Sequence, residues 1–297
     1  MENPGPAQPS RDIPARWGAG RTLPAILLPG VLLVLVLAGC GILGPEENSD
    51  REPKPGQMTV LFIGSSYLEF NDVPKRFQEL AAKAGHDVFV KSHTILGRPL
   101  AVHAASSEAA YVIRQREWDY VVLQGGAHDV AYPRGADHPV LPALRELHRK
   151  STEDSPGTQV VWMMPWAYED GMLWIEGRTE DYAQMQLDIR DKVMEWVEEV
   201  DLVIAPVGMA FYEVLTEWDP GPHFLHDLDW NHASQEGSFL AAATFFSTIF
   251  AESSVGVEYR WKVEREVAKD LREVASHTVL EDLELWRIGG GGAGGGS

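Results

Sequence analysis

The chain has 297 residues, 44% hydrophobic, 9% aromatic and 23% charged, too apolar for a disordered protein and too interrupted for a polytopic membrane protein. Its 25 Lys and Arg against 44 Asp and Glu give a net charge of −19; so acidic a surface repels phosphate backbones, and no nucleic-acid partner is expected. A single cysteine, Cys40, excludes an intramolecular disulfide and any cysteine-built zinc cluster.

Residues 1–22 are polar and rich in Pro and Gly, with Arg11, Arg16 and Arg21 ahead of an apolar run of 15 residues, Ala25 to Gly39. A bilayer-spanning helix needs about 20 residues, so this run has the length of a signal-peptide core. It ends in Leu37-Ala38-Gly39-Cys40, which resembles the lipobox of bacterial lipoproteins. That resemblance implies a signal peptide over 1–39 and lipid modification of Cys40; an uncleaved signal anchor is the alternative. Residues 40–57 follow as a flexible tether carrying Pro45, Pro53 and Pro55. The folded domain is expected over 58–288, and 289–297, with seven glycines in nine residues, as a disordered tail, natural or engineered.

Within the domain, short β-rich runs alternate with longer amphipathic stretches. Strands are expected at Thr59–Ile63, Val88–Lys91, Tyr120–Leu123, Gln159–Met164 and Leu202–Ala205. Helices are expected from about Pro74 to Ala84, over Leu100–Gln115, near Leu141–Lys150, over Glu180–Val200 and over Ala233–Phe250. Tyr259 to Arg287 has a helical apolar period, giving one or two further amphipathic helices. Five such strands separated by helices predict an α/β fold, a three-layer α/β/α sandwich around a five-stranded parallel sheet. In such sheets the chemistry lies beyond the carboxyl ends of the strands.

The first of those ends reads Gly64-Ser65-Ser66-Tyr67. A serine on a glycine-led turn between strand and helix can present its hydroxyl beside backbone N–H groups, although such a turn is often structural only. Before the apolar helix at 233–250 comes Asp229-Trp230-Asn231-His232. Asp-x-x-His spacing lets the carboxylate reach one imidazole nitrogen and leaves the other free to take a serine's proton. Ser234 or Asn231 could cap the helix that follows.

These blocks together, Gly64-Ser65-Ser66 and Asp229-x-x-His232 followed by Ser234-x-x-Gly237, resemble the SGNH (GDSL-like) hydrolase superfamily. The similarity is to a branch whose first block reads Gly-Asn-Ser, or here Gly-Ser-Ser. Leu96-Gly97-Arg98-Pro99-Leu100 with His103 resembles the second block, and Val121-Val122-Leu123-Gln124 the end of the third strand. Met164-Pro165-Trp166-Ala167-Tyr168 and Ala205-Pro206-Val207-Gly208 resemble the ends of the fourth and fifth. The resemblance implies the flavodoxin-like SGNH fold, with Ser66 as nucleophile, His232 as general base and acid, and Asp229 orienting the imidazole. The N–H groups of Ser66 and Gly97 would form the oxyanion hole. Where the superfamily has Gly-x-Asn-Asp, this chain has Gly126-Ala127-His128-Asp129, so a third donor is expected from Gln124 or, alternatively, His128. Ser65 is the rival nucleophile by adjacency.

His223, His226, Asp227, Asp229 and His232 are close in sequence, but Pro220-Gly221-Pro222 reads as a loop; no metal and no cofactor are expected. Trp166, Tyr168 and Trp230 lie where loops should line a cleft and are candidate substrate-binding residues, against the alternative that they only pack. The expected activity is a serine esterase acting on a small acyl ester, such as an O-acetylated glycan. A lipoprotein of the same fold that binds glycans without turnover is the alternative. The lipobox resemblance implies a place in the cell envelope, outside the cytoplasm, with the membrane as partner through Cys40.

Overall fold

A computed structural model describes residues 52–132, 140–175, 177–218 and 220–289. The signal segment 1–39, Cys40, the tether up to residue 51 and the glycines after 289 lie outside the described residues. Strand β1 (Met58–Gly64) is buried from Thr59 onward, as an apolar run must be when helices cover both faces of a sheet. It leads into a single turn of helix, α1 (Ser66–Glu69), and then α2 (Val73–Ala84). Pro74 starts α2, and Gly85, at φ 98°, ends it by donating its N–H to the carbonyls of Ala81 and Ala82.

The chain continues through β2 (Val88–Thr94), α3 (Leu100–Ala105), α4 (Ser107–Arg114), β3 (Tyr120–Gln124), α5 (Ala127–Ala131) and α6 (Val140–Thr152). It then passes through β4 (Gln159–Met163), α7 (Tyr182–Val197), β5 (Val203–Ala205), α8 (Val207–Glu217), α9 (Gln235–Phe250) and α10 (Arg265–Leu280). The five strands form one parallel sheet in the order β2-β1-β3-β4-β5. Its register sets Val60 beside Val90, Leu61 beside Val121, Leu123 beside Trp162 and Met163 beside Ala205. Helices cover both faces: α2 and α10 pack on α9, and α3 and α4 pack on α6. The fold is thus the three-layer α/β/α sandwich expected.

Helix α9 is buried on every side from Gly237 to Ile249, the pattern of a helix enclosed by other elements. Its two threonine hydroxyls are satisfied within it, Thr244 donating to the Leu240 carbonyl and Thr248 to that of Thr244, both at 2.9 Å. Phe62, Phe77, Trp162, Phe211, Phe239 and Phe245 fill the core, each side chain contributing about 1.5–3 kcal/mol by leaving water.

The structure departs from the sequence expectations in three elements. The helix expected over Leu100–Gln115 is two, because Ser106 is extended (φ −77°, ψ 134°) and its hydroxyl accepts the N–H groups of Glu108 and Ala109, a cap that competes with continuous helix. Helices α5 and α8 were not anticipated; the apolar Val207–Val214 stretch after Pro206 read only as the end of a strand. The segment after α10 is a series of turns. Within it the Trp286 carbonyl accepts the Ile204 N–H at 2.9 Å, so this stretch covers the outer edge of β5 and blunts a strand edge open to pairing. Among the described residues no helix is long and apolar enough to cross a membrane.

Candidate active site

The strand order reverses direction between β1 and β3, and the crevice at such a switch point is where α/β sheets bind ligands. Gly64 lets the two strand ends meet there: a Cβ on it would lie 2.5 Å from Gln124 Oε1 and 2.9 Å from Gln124 Cβ. Beyond it, Ser65 is extended and donates its N–H (2.7 Å) and hydroxyl (3.1 Å) to Gln124 Oε1. Helix α1 starts at Ser66. The N–H groups of Leu68 and Glu69 go to the Ser65 carbonyl, and those of Ser66 and Tyr67, at the start of the helix, have no acceptor among the described residues.

The Ser66 hydroxyl lies 2.8 Å from His232 Nε2, and His232 Nδ1 lies 2.5 Å from Asp229 Oδ2. It is Ser66, and not Ser65, whose hydroxyl meets the imidazole. Asp229 Oδ1 accepts the N–H groups of Asn231 (3.1 Å) and His232 (2.9 Å), closing the turn on itself. Burial pushes the Asp229 carboxyl up, but the His232 ring and these two N–H groups outweigh it, and the net shift is downward. The loop is held from below. His226 and Ala233 form an antiparallel bridge, Asp227 donates its N–H to the His232 carbonyl at 2.7 Å, and buried His226 donates from Nε2 to the Ala167 carbonyl at 2.8 Å. Ser234 caps α9 by accepting the Gly237 N–H at 3.1 Å.

Three residues that the sequence reading passed over complete this arrangement. The Phe70 ring stacks on the His232 imidazole, centroids 4.0 Å apart and planes 8° from parallel. Asn71 points its amide nitrogen at the carbonyls of Ala233 (3.1 Å) and Ser234 (3.2 Å) and at the Ser238 hydroxyl (3.0 Å). The Tyr67 hydroxyl donates to Asn231 Oδ1; burial first, then Tyr168 and Asp229 nearby, raise its pKa well above the phenol range, so it keeps the proton it donates. Asn71 and Asp72 have φ of 60° and 54°. The Asn-Asp-x-Pro spelling of residues 71–74 was the available signal, since Asn and Asp tolerate left-handed backbone and Pro opens a helix.

No protein-family model matches the chain, and no curated protein matches it either. Solved structures do. A DUF4886 family protein from Bacteroides uniformis superposes with a TM-score of 0.64 at 19% identity, over 75% of this chain and 95% of its own. A protein from Slackia heliotrinireducens assigned to the SGNH hydrolases superposes with a TM-score of 0.53 at 22% identity, over 65% of this chain and 99% of its own. The fold is that of the SGNH hydrolases. At these identities the likeness concerns the fold; the chemistry must be argued from the residues.

On this SGNH scaffold two expected roles need correction. Trp166 does not line a cleft: it is fully buried, sandwiched between Tyr67 (4.5 Å) and Phe211 (4.8 Å), and its Nε1 donates to the Asn231 carbonyl at 2.8 Å. It supports the histidine loop from the core. Gln124 is buried too. Its carbonyl is taken by Ser65, and its amide nitrogen donates to the Gly125 carbonyl at 2.7 Å. It braces the turn before Ser66 rather than offering a donor to the cleft. Gly97 lies in an exposed turn at φ 64°, its N–H without an acceptor among the described residues. The backbone of His128, the alternative third donor, hydrogen-bonds Tyr168.

Tyr168 and exposed Trp230 do share an opening. With Asp170, Leu173, Trp174, Asn231 and Asp229, the partner of His232, they line a cavity of about 600 Å³. Burial, then Asp129, pushes the Tyr168 hydroxyl up to about 12, so it remains a neutral phenol. Among the described residues no three His, Cys, Asp or Glu side chains converge on a common point. His223 pairs with Glu169 at 2.9 Å, while His226 Nε2 meets the Ala167 carbonyl.

Proposed function

We propose that this protein is a serine-dependent carboxylic ester hydrolase acting on small acyl esters, an O-acetylated glycan being one such substrate. The reading rests on one observation: Ser66, His232 and Asp229 form a continuous hydrogen-bonded line at the switch point of the sheet. In this arrangement His232 Nε2 takes the Ser66 proton as Oγ attacks the acyl carbonyl carbon. Asp229 holds the Nδ1–H and faces the positive charge that forms on the ring. The unpartnered N–H groups of Ser66 and Gly97 are the donors available to the oxyanion, each worth about 3 kcal/mol when correctly placed. The tetrahedral adduct collapses, the alcohol leaves with the proton from His232, and water repeats the sequence on the acyl-serine to release the acid.

The test is hydrolysis of p-nitrophenyl acetate by the protein and by its Ser66→Ala and His232→Ala variants. Each variant should lose about a thousandfold or more in kcat, and the double variant little beyond either, because the two act as a unit. Full activity in Ser66→Ala would refute the reading, and loss in Ser65→Ala alone would move the nucleophile by one residue.

We further infer attachment through lipid on Cys40 to a bacterial membrane, on a side facing away from the cytoplasm, from the lipobox-like Leu37-Ala38-Gly39-Cys40 that ends the apolar run. A Cys40→Ser variant expressed in bacteria should remain unprocessed or leave the membrane fraction. Normal cleavage with unchanged fractionation would overturn this.

A further inference from the structure

We propose that the aromatic cavity beside the triad binds an organic cation, and that the favoured esters carry a quaternary or tertiary ammonium group on the alcohol. This rests on the ester-hydrolase reading and adds the substrate class. The cavity walls hold three aromatic rings and two carboxylates, with no Lys, Arg or His among the described lining residues. Tyr168 and Trp174 make a corner, ring centroids 5.9 Å apart with planes at 45°, and His128 stands behind Trp174 at 6.1 Å. Trp230 stands in left-handed backbone at φ 62°, an unfavourable conformation for a bulky residue. It is held there by its own N–H to the Asp227 carbonyl and by the Glu169 N–H on its carbonyl, each at 2.9 Å. The strain is retained where it presents an indole, 53% exposed, to the cavity.

The two carboxylates differ in what they can do for a ligand. Asp229 is occupied by His232 and two backbone N–H groups, whereas exposed Asp170 has neither an ion-pair nor a hydrogen-bond partner among the described residues. Aromatic faces with an unpaired carboxylate attract a poorly hydrated cation. They repel an anionic group and offer a long acyl chain two charges it cannot use. Because Asp229 belongs to both cavity and triad, a cation seated here sits at one end of an ester whose carbonyl lies at Ser66. The net charge of −19 draws such substrates in.

The experiment compares kcat/KM for acetylcholine with that for its uncharged carbon isostere, in which tert-butyl replaces the trimethylammonium group. The charged ester should be favoured about tenfold or more. Trp174→Ala and Asp170→Asn should each bring the ratio down toward one, with melting temperatures confirming that both variants fold. Tetramethylammonium chloride should compete with p-nitrophenyl acetate where equal sodium chloride does not. A ratio near or below one in the parent, a high ratio that survives both substitutions, or cleavage of p-nitrophenyl acetate with neither ester turned over would each overturn the proposal. Undiminished p-nitrophenyl acetate activity in Ser66→Ala would instead overturn the ester-hydrolase reading beneath it.

Discussion

Phe70 lies outside the proposed triad but touches its imidazole. Its ring lies flat on the imidazole at 4.0 Å, and a π-face is worth most when its neighbour is charged, about 0.5–2 kcal/mol. In the reaction proposed, His232 carries that charge in the transition state and not in the resting enzyme. Phe70→Leu should therefore lower kcat about 3- to 10-fold with KM little changed, and Phe70→Tyr should restore it; an equal loss in KM would argue for a packing role. Asp229→Asn should cost less than His232→Ala, since the ring itself survives and only its orientation and charge stabilisation are lost. These residues were unequally legible. Ser66, Asp229 and His232 could be read from short spacings, because a serine on a strand-to-helix turn and a carboxylate three residues from a histidine are local geometries. Phe70 and Asn71 act on a loop more than 160 positions away, so no local spacing betrays them. Trp166 misled because a strand end was taken to be a cleft, whereas its ring turns inward between Tyr67 and Phe211.

Helix α9 begins beneath the histidine loop, and the fit is tight at Gly237. A Cβ there would come within 2.2 Å of the Leu225 carbonyl oxygen, a backbone atom that cannot swing aside. Helix propensity alone favours alanine over glycine by about 1 kcal/mol, but overpacking against fixed atoms typically costs 1–3 kcal/mol. The clash should win: Gly237→Ala should lower the urea midpoint and, by pushing on the turn that carries His232, lower kcat as well. A stabilised, fully active variant would show that the loop yields easily. The turn from Phe70 to Asp72 meets the start of the same helix, and Asn71→Ala removes its donor to three acceptors. With a charge-free hydrogen bond worth about 1 kcal/mol, that variant should be destabilised by roughly 1–2 kcal/mol in urea titration. Element types were readable where a continuous apolar run is long enough and cleanly bounded, as in β1 and α9. They were missed where one residue overrides the period, as Ser106 does by capping a new helix, or where an apolar stretch after a proline serves two shapes equally well, as in α8.

Taken whole, the molecule should be sensitive to acid for a reason distinct from its net charge. His103 is fully buried, and burial, followed by the neighbouring His93, lowers its pKa from 6.5 to about 4; burial also lowers His93 and His226. The unfolded chain binds these protons near pH 6.5 while the folded chain refuses them until about pH 4 for His103. Between those limits the unfolded state holds more protons, so stability falls as pH falls through that window and is level above it. Asp229, held low in the folded state, acts in the same direction at more acid pH. Urea midpoints at neutral pH and near pH 5 should differ accordingly, and His103→Gln should flatten the difference. Equal midpoints in the parent would contradict this account.

The two halves of the hydrogen bond at Ser66 stand 166 positions apart, one at the exit of the first strand and the other just ahead of the penultimate helix. During synthesis the serine leaves the ribosome long before its partner exists. On the proposed mechanism, about three quarters of the chain must be made before an acyl group can be attacked. On the proposed reading, a truncated product therefore carries Ser66 without its base, and hydrolytic competence would arrive only with the last quarter of the polypeptide.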